Sequence, residues 1–538
     1  MKNLFKILAI VLVMVFSLSV FVACDVLKDI GNIIGGNGDV GSGDVGSGDV
    51  GSGDVGTGNG GGAGDGGSGS DSGTYTLDVY AINDMHGKFT DTDAQPGVDE
   101  MTTYLRKVQK EQNALLLSSG DMWQGSCESG LTKGNIITDW MNELDFSSMT
   151  LGNHEFDWGA EAIIANGEKA EFPILAINVY DEAANQRVDY CEPSVLIDKG
   201  EVQIGIIGAI GDCYSSISAD KVEGIYFKTD AELTALVKAE SQKLKTQGAD
   251  FIIYSLHDGY GRSYSDEIYR RGDQFSNEGG VYYDTSLSNG YVDLVFEGHS
   301  HQSYVIKDEF GVYHLQGGGD NTKGMTHAQV VFNLDKDTVR VNTAELLKHS
   351  VYSNLAEDEI VDKLLEKYDD LVGTMYDTIG VNRTTLDSTQ IKNLVARLYY
   401  EVGVEQWGDT YDIVLGGGYL SVRSPYDLNS GAVNYSMLYM LLPFDNEVVL
   451  CSIKGSDLIN RYFENGSYFI YLGDYGNYLR QQDNSKKYVN IDANKSYYII
   501  TDTYNLVYKA NKLTFVATLG PVYARDLVAN YVAEGGLN

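Results

Sequence analysis

The chain has 538 residues, 43% of them hydrophobic, with a formal net charge of -37 from 39 basic and 76 acidic residues. That length exceeds one ordinary core and leaves room for two folded domains. The charge excludes nucleic-acid polymers as partners, which require a basic stripe to replace counterions, but admits small anions wherever a local cation outweighs the acidic field.

Residues 1–24 join Lys2 and Lys6 to an apolar run and end in Ala23 and Cys24. The run is short for a membrane span and has the layout of an export signal. Phe21-Val22-Ala23-Cys24 resembles the bacterial lipobox, in which the cysteine becomes the lipid-bearing N-terminus. The resemblance implies an exported cell-surface lipoprotein, anchored to the outer face of the plasma membrane through Cys24; an ordinary secretory signal is the alternative. Residues 25–73 are rich in Gly, Ser and Asp, with GDVGS recurring from Gly38. So little apolar surface cannot offset the entropy of ordering glycine, so the stretch reads as a flexible tether spanning roughly 35 Å. Cys127, Cys191, Cys213 and Cys451 show neither zinc-site nor disulfide-framework spacing, and buried free thiols are expected.

From 74 to 350 short β-rich runs alternate with amphipathic stretches. The periodicity predicts helices at 98–110 and 229–245 and strands at 174–179 and 202–210. A polar, tyrosine-rich insertion at 259–290, with Arg270 and Arg271, reads equally as a lid or as a surface excursion. At 356–372, Ile360, Leu364, Leu365, Tyr368 and Leu371 recur at three- and four-residue steps, which predicts an amphipathic helix within a linker at 351–373, stopped by Gly373. A second, smaller α/β region occupies 374–538.

Five apolar runs end in metal-ligating residues: 77–86 (LDVYAINDMH), 114–121 (ALLLSSGD), 151–159 (LGNHEFDWG), 251–258 (FIIYSLHD) and 292–301 (VDLVFEGHSH). Five of the eight histidines fall in these blocks, a clustering that scattered core histidines would not produce. Asp84 and His86, one residue apart, can face one ion, which His301 can complete. Asp121 can bridge two ions, and Asn153, His257 and His299 can hold the second. Carboxylate, imidazole and amide donors without thiolate suit Zn, Mn or Fe better than calcium. Two ions sharing a carboxylate lie roughly 3.5 to 4 Å apart, lower the pKa of a bridging water so that hydroxide attacks phosphorus near neutral pH, and neutralise a phosphoryl group. His154, with Asp157 three residues on to orient its ring, can assist the transferring group or protonate the leaving oxygen.

The ordered set NDMHG, SGDMWQGS, GNHEFDWG, SLHDG and GHSH resembles the calcineurin-type metallophosphoesterase domain of the secreted 5'-nucleotidase family, which includes UDP-sugar hydrolases and cyclic-nucleotide phosphodiesterases. The later GGG and LLPFDN blocks resemble that family's C-terminal nucleotide-binding domain. The resemblance implies a four-layer αββα metal domain at 74–350 and a smaller α/β domain at 374–538. It implies two divalent ions, one on Asp84, His86, Asp121 and His301 and one on Asp121, Asn153, His257 and His299, with His154 and Asp157 as catalytic dyad. It also implies Phe444 and Tyr504 around a base, with Arg423 and Arg397 on a phosphate or carboxylate. The sequence departs from the family at Tyr504 to Tyr508 and in the distance of Arg423 from Gly418. The expected activity is release of phosphate from extracellular nucleotides. A UDP-sugar pyrophosphatase, a 2',3'-cyclic phosphodiesterase and a non-catalytic surface nucleotide- or metal-binding protein are the rivals.

Overall fold

The structure, a computed structural model, describes residues 73–537 apart from 92–95, 260–273, 278–279, 285–290, 309–310, 320–323, 424, 464–466, 474–489 and 510–511. The signal, nearly all of the tether, Arg270 and Arg271 lie outside the described residues. No helix among the described residues is long and apolar enough to cross a membrane.

Thr74–Ile82 shows why two sheets stack. Leu77, Val79 and Ala81 face Phe251, Ile253 and Phe296 of the second sheet, while Tyr80 and Ile82 face Leu105, Ile136 and Trp140 on helices. A strand apolar on both faces must be covered on both, and burying each such leucine or isoleucine contributes about 2 kcal/mol. The first sheet has eight strands in the order Gln274–Asn277, Gly280–Asp284, Thr338–Leu347, Met325–Asn333, Thr74–Ile82, Leu115–Ser118, Ser148–Thr150, Ile174–Leu175. The second has six, in the order Ser303–Lys307, Tyr313–Gly317, Leu294–Glu297, Phe251–His257, Gln203–Ile210, Ser194–Asp198. Asp99–Gln112 lays Met101, Leu105 and Val108 on the outer face of the first sheet, and Asp230–Thr246 lays Leu233, Val237 and Leu244 on that of the second. Four layers result, helix, sheet, sheet, helix, as expected. The described part of the 259–290 insertion extends the edge of the eight-stranded sheet.

Two expected elements differ. The strand expected at 174–179 splits into Ile174–Leu175 and Val179–Asp181, which belong to different sheets. Buried Asn178 donates to the carbonyls of Ile210 (2.7 Å) and Lys228 (2.9 Å), which turns the chain out of the first sheet. The linking helix breaks at Tyr368 into Glu359–Lys367 and Asp369–Val372, because the Tyr368 hydroxyl and the Lys367 ammonium are both drawn to Asp139 Oδ2 at 2.6 Å. Ile360 and Leu364 are buried as expected, but after the break Leu371 turns out to solvent, 54% exposed.

The second region is built on a five-stranded sheet, Phe469–Tyr471, Ile413–Gly418, Ser496–Asp502, Val448–Lys454, Thr514–Thr518. Helix Ser388–Trp407 packs on one face, its first turn closed by reciprocal bonds between Asp387 and Gln390. All four cysteines beyond the signal are buried and free.

His327 sits between strands, with Asp78 Oδ1 at 2.8 Å and Glu345 Oε1 at 3.0 Å. Burial works against the charged ring, but those hydrogen bonds outweigh it and raise its pKa. A raised folded-state pKa adds stability that is full below the unfolded value and lost as pH climbs through the folded one. His327→Gln is therefore expected to cost about 1 kcal/mol at mildly acidic pH, discounted for half-exposed Glu345, and less in alkali. Urea denaturation at the two pH values measures this; an equal loss at both would refute the charged pairing.

Candidate active site

Parallel pairing aligns the carboxyl ends of Thr74–Ile82, Leu115–Ser118 and Ser148–Thr150 in one sheet, and of Phe251–His257 and Leu294–Glu297 in the other. Thr150 Oγ1 donates across the sandwich to Ser255 Oγ (2.7 Å), and Ser255 Oγ donates to the Ser118 carbonyl (3.2 Å). These bonds hold the two rows of strand ends together, so the five ligand-bearing turns converge on one edge.

The turns are strained in a shared way. Asp84, His86, Asp121, His299 and His301 have φ of 49, 51, 56, 64 and 53°, five of the eleven non-glycine positive-φ residues among those described. Each costs about 1 kcal/mol or more, and strain gathered at one spot is characteristic of a functional site. Gly152 allows the closest approach: a Cβ there would lie 2.3 Å from Asp121 Oδ1.

The side chains interlock. His86 Nε2 is 2.9 Å from His301 Nε2, and His301 Nε2 is 3.4 Å from Asp84 Oδ1. His257 Nε2 lies 3.2 Å from Asp121 Oδ2, and His299 Nδ1 is 2.9 Å from Asn153 Oδ1. Donor atoms of Asp84, His86 and His301 lie within 4.8 Å of one another, as do those of Asp84, Asp121 and His257. All seven expected metal ligands are thus brought together, Asp121 centrally. Buried His257 Nε2 has no hydrogen-bond partner among the described residues, although it faces Asp121. Two acidic side chains, four imidazoles and an amide so arranged fit divalent cations of the Zn, Mn or Fe class.

The electrostatics suit ligation. Burial lowers the pKa of His86 well below the usual range and that of His299 to about 4, leaving both rings neutral. Burial pushes Asp84 up to about 7, with Asp121 adding to the rise. Burial also works to raise Asp121, but the facing imidazoles of His257 and His154 prevail and hold it low, while Asp121 takes His257 up to about 10 against burial. These groups crowd like charges away from water, an arrangement that bound cations would relieve.

Two participants were not read from the sequence. Fully buried Glu155 accepts backbone N–H bonds from Asp121 (2.9 Å), Met122 (2.8 Å), Trp123 (3.2 Å) and Gly152 (2.6 Å). It ties the Asp121 turn to the Asn153 turn, and only its place inside the charged 151–159 block hinted at a role. Glu155→Gln substitutes one donor for an acceptor within that cage, so metal affinity is expected to fall by about 10- to 100-fold, as when other groups supporting ligands are removed. Metal titration checks this; unchanged affinity would leave Glu155 a bystander. Cys213 is the second: its Sγ lies within 4.8 Å of donor nitrogens of His257 and His299, a thiol where a thiol-free centre was expected. The thiol donates to the His257 carbonyl (2.9 Å), and burial raises its pKa far enough to keep it protonated.

His154 stands beside the ligands, a ring nitrogen within 4.8 Å of donor atoms of His86 and Asp121. Its Nδ1 lies 2.9 Å from Asp157 Oδ2, and its Nε2 is 3.1 Å from an Arg423 guanidinium nitrogen. Burial works to lower the pKa of His154, but the carboxylates of Asp157 and Asp121 prevail and raise it, with Arg423 opposing, so that the ring is poised to carry a proton. Phe444 stacks on His154 at 6.1 Å and lies under Arg423 at 5.5 Å. A cavity of about 330 Å³ runs from Asp121, Asn153 and His154 past Arg423 and Phe444 to Tyr419 and Tyr504, whose rings are 6.3 Å apart. Arg397 is not brought there. On Ser388–Trp407 the cavity face carries Lys392, Val395 and Tyr399, and Arg397 falls on another face, over Tyr531 and 3.6 Å from Glu401.

Residues 77–303 match the calcineurin-like phosphoesterase family. Protein UshA of Yersinia enterocolitica is 27% identical over 434 residues, covering 72% of this chain and 75% of that protein. A 5'-nucleotidase of Vibrio cholerae is 31% identical over 242 residues, 44% of this chain and 42% of that protein. The fold matches a solved 5'-nucleotidase precursor from Thermus thermophilus, TM-score 0.60 at 18% identity, over 86% of this chain and 96% of that one. The chain therefore carries a calcineurin-like phosphoesterase domain, has 5'-nucleotidases and UshA proteins as homologues, and is a metal-dependent phosphoester hydrolase.

Proposed function

We propose that this protein is an exported nucleotide phosphohydrolase of the 5'-nucleotidase type, with a metal domain at 74–350, a linker at 351–373 and a nucleoside-presenting domain at 374–538. One ion is assigned to Asp84, His86, Asp121 and His301, and the other to Asp121, Asn153, His257 and His299. When bound, the pair supplies Lewis-acid charge neutralisation at the phosphoryl group and an activated water. The chain's own residues do the rest. Asp157 holds the His154 ring so that Nε2 meets the phosphoryl or leaving oxygen, and Arg423, now on that nitrogen, exchanges it for a phosphoryl oxygen as substrate enters. Phe444 and Tyr504 offer ring faces to a base, and Tyr419 opposite Tyr504 adds a third.

The observation that carries this reading is the single cavity that begins at Asp121, Asn153 and His154 and ends at aromatic side chains of the second region. A general phosphatase has no use for such a wall. The test is phosphate release from AMP, UDP-glucose, 2',3'-cAMP and an aryl phosphate, with and without chelator. AMP should be the best substrate and chelation should abolish release. Preference for UDP-glucose or the cyclic nucleotide would replace the proposed substrate, and equal turnover of the aryl phosphate would remove the role of the cavity.

Export and anchoring rest on residues 1–24 and on Cys24. Labelled fatty acid is expected to enter the protein when it is expressed in a bacterium and to be lost in Cys24→Ser; labelling that survives the substitution would rule out that anchor.

A further inference from the structure

One buried polar group in the cavity wall has no task in the chemistry above. Gln124 is 1% exposed, and neither Oε1 nor Nε2 has a hydrogen-bond partner among the described residues. Its place is well held, because the His86 ring pairs with the Gln124 carbonyl through Nδ1 at 2.9 Å. The residue borders the main cavity beside Asp121, His154 and Arg423, and also a small chamber of about 60 Å³ lined by His86, Lys88 and Tyr426. Arg423 and His301 border both spaces as well. Gln124 therefore stands in the partition between them.

Folding does not account for it. An unpaired buried amide costs about 1–3 kcal/mol for each polar group, whereas methionine would fill a similar volume without that cost. A ligand does account for it. A phosphoryl group at the adjacent metal ligands presents oxygens that only accept, and these match Nε2. The amide oxygen then turns towards the small chamber, whose wall includes the donor-only ammonium of Lys88. A neutral amide also avoids adding a third carboxylate beside Asp84 and Asp121.

We propose that Gln124 is a substrate-contacting residue that donates from Nε2 to a non-bridging oxygen of the phosphoryl group, alongside Arg423. The inference rests on the reading of this cluster as a phosphoryl-transfer site. It is tested on the full-length, metal-loaded protein by calorimetric binding of inorganic phosphate, with kinetics in parallel. A hydrogen bond to a charged partner predicts that Gln124→Met weakens phosphate binding and lowers kcat/KM by about 10-fold or more. Gln124→Glu, which sets a carboxylate against the anion, should lose more. Both variants should keep two metal ions per chain, and Gln124→Met should melt no lower than the parent. Phosphate binding within about twofold of the parent in Gln124→Met would overturn the proposal, as would loss of metal from Gln124→Met. If the parent binds metal and phosphate but cleaves none of the esters, the proposed function fails, while the phosphate comparison still decides the role of Gln124.

Discussion

Asp121→Ala is expected to lower phosphate release by at least about 10³-fold, because each bound ion contributes several kcal/mol of charge stabilisation and this residue is the one assigned to both. Asp121 is 1% exposed, faces His257 Nε2 across 3.2 Å, and accepts the His154 backbone N–H at 2.8 Å. Removing it takes away a shared ligand, the anion that keeps His257 charged, and an anchor of the dyad turn. Asp121→Asn separates these effects. It keeps the shape and the His154 anchor but not the negative charge, so it should retain the fold while losing the tight pairing of metals. Metal analysis of both variants beside the substrate panel is the measurement. Two tightly held ions and near-parental turnover in Asp121→Ala would refute the bridging assignment.

His154→Ala is expected to cost about 10²- to 10⁴-fold in kcat, the usual range for losing a positioned proton donor, with both metals retained. Asp157→Asn should cost less, since the ring stays in place and only its orientation and tautomer are loosened. The two residues form one unit through the 2.9 Å contact between Nδ1 and Oδ2. The double variant should therefore be scarcely slower than His154→Ala alone. Strictly multiplicative losses would mean that Asp157 acts independently of the ring. Arg423→Lys gives a useful comparison, since a point charge keeps electrostatic attraction but loses the planar fork and the contact with Phe444.

Local pattern made much of the architecture legible. Met101, Leu105 and Val108 lie one helical turn apart and fall on one buried face of Asp99–Gln112, so periodicity alone placed that helix. The ligand blocks were legible for a different reason: in each, carboxylate, imidazole or amide donors gather within a few residues at the end of a buried-looking stretch. The misses share a cause. Asn178 ends one strand through bonds to carbonyls 32 and 50 residues away, and Tyr368 breaks a helix through Asp139, 229 residues away. No window around either residue contains those partners.

By itself the sequence determined the individual strands and helices, through periods of two and 3.6 residues; its motifs nominated the donor set and the dyad, and their family resemblance implied the layering of helices on two sheets. Tertiary structure alone decided the rest. It put Arg423 and Phe444 against His154 and turned Arg397 away. It closed the cage of backbone donors around Glu155, stood Cys213 beside His257 and His299, and left the amide of Gln124, a residue bordering two cavities, unpaired among the described residues. Each depends on which distant segments share a few ångströms of space, and that is set by how strand ends and loops pack rather than by any residue's neighbours in the chain.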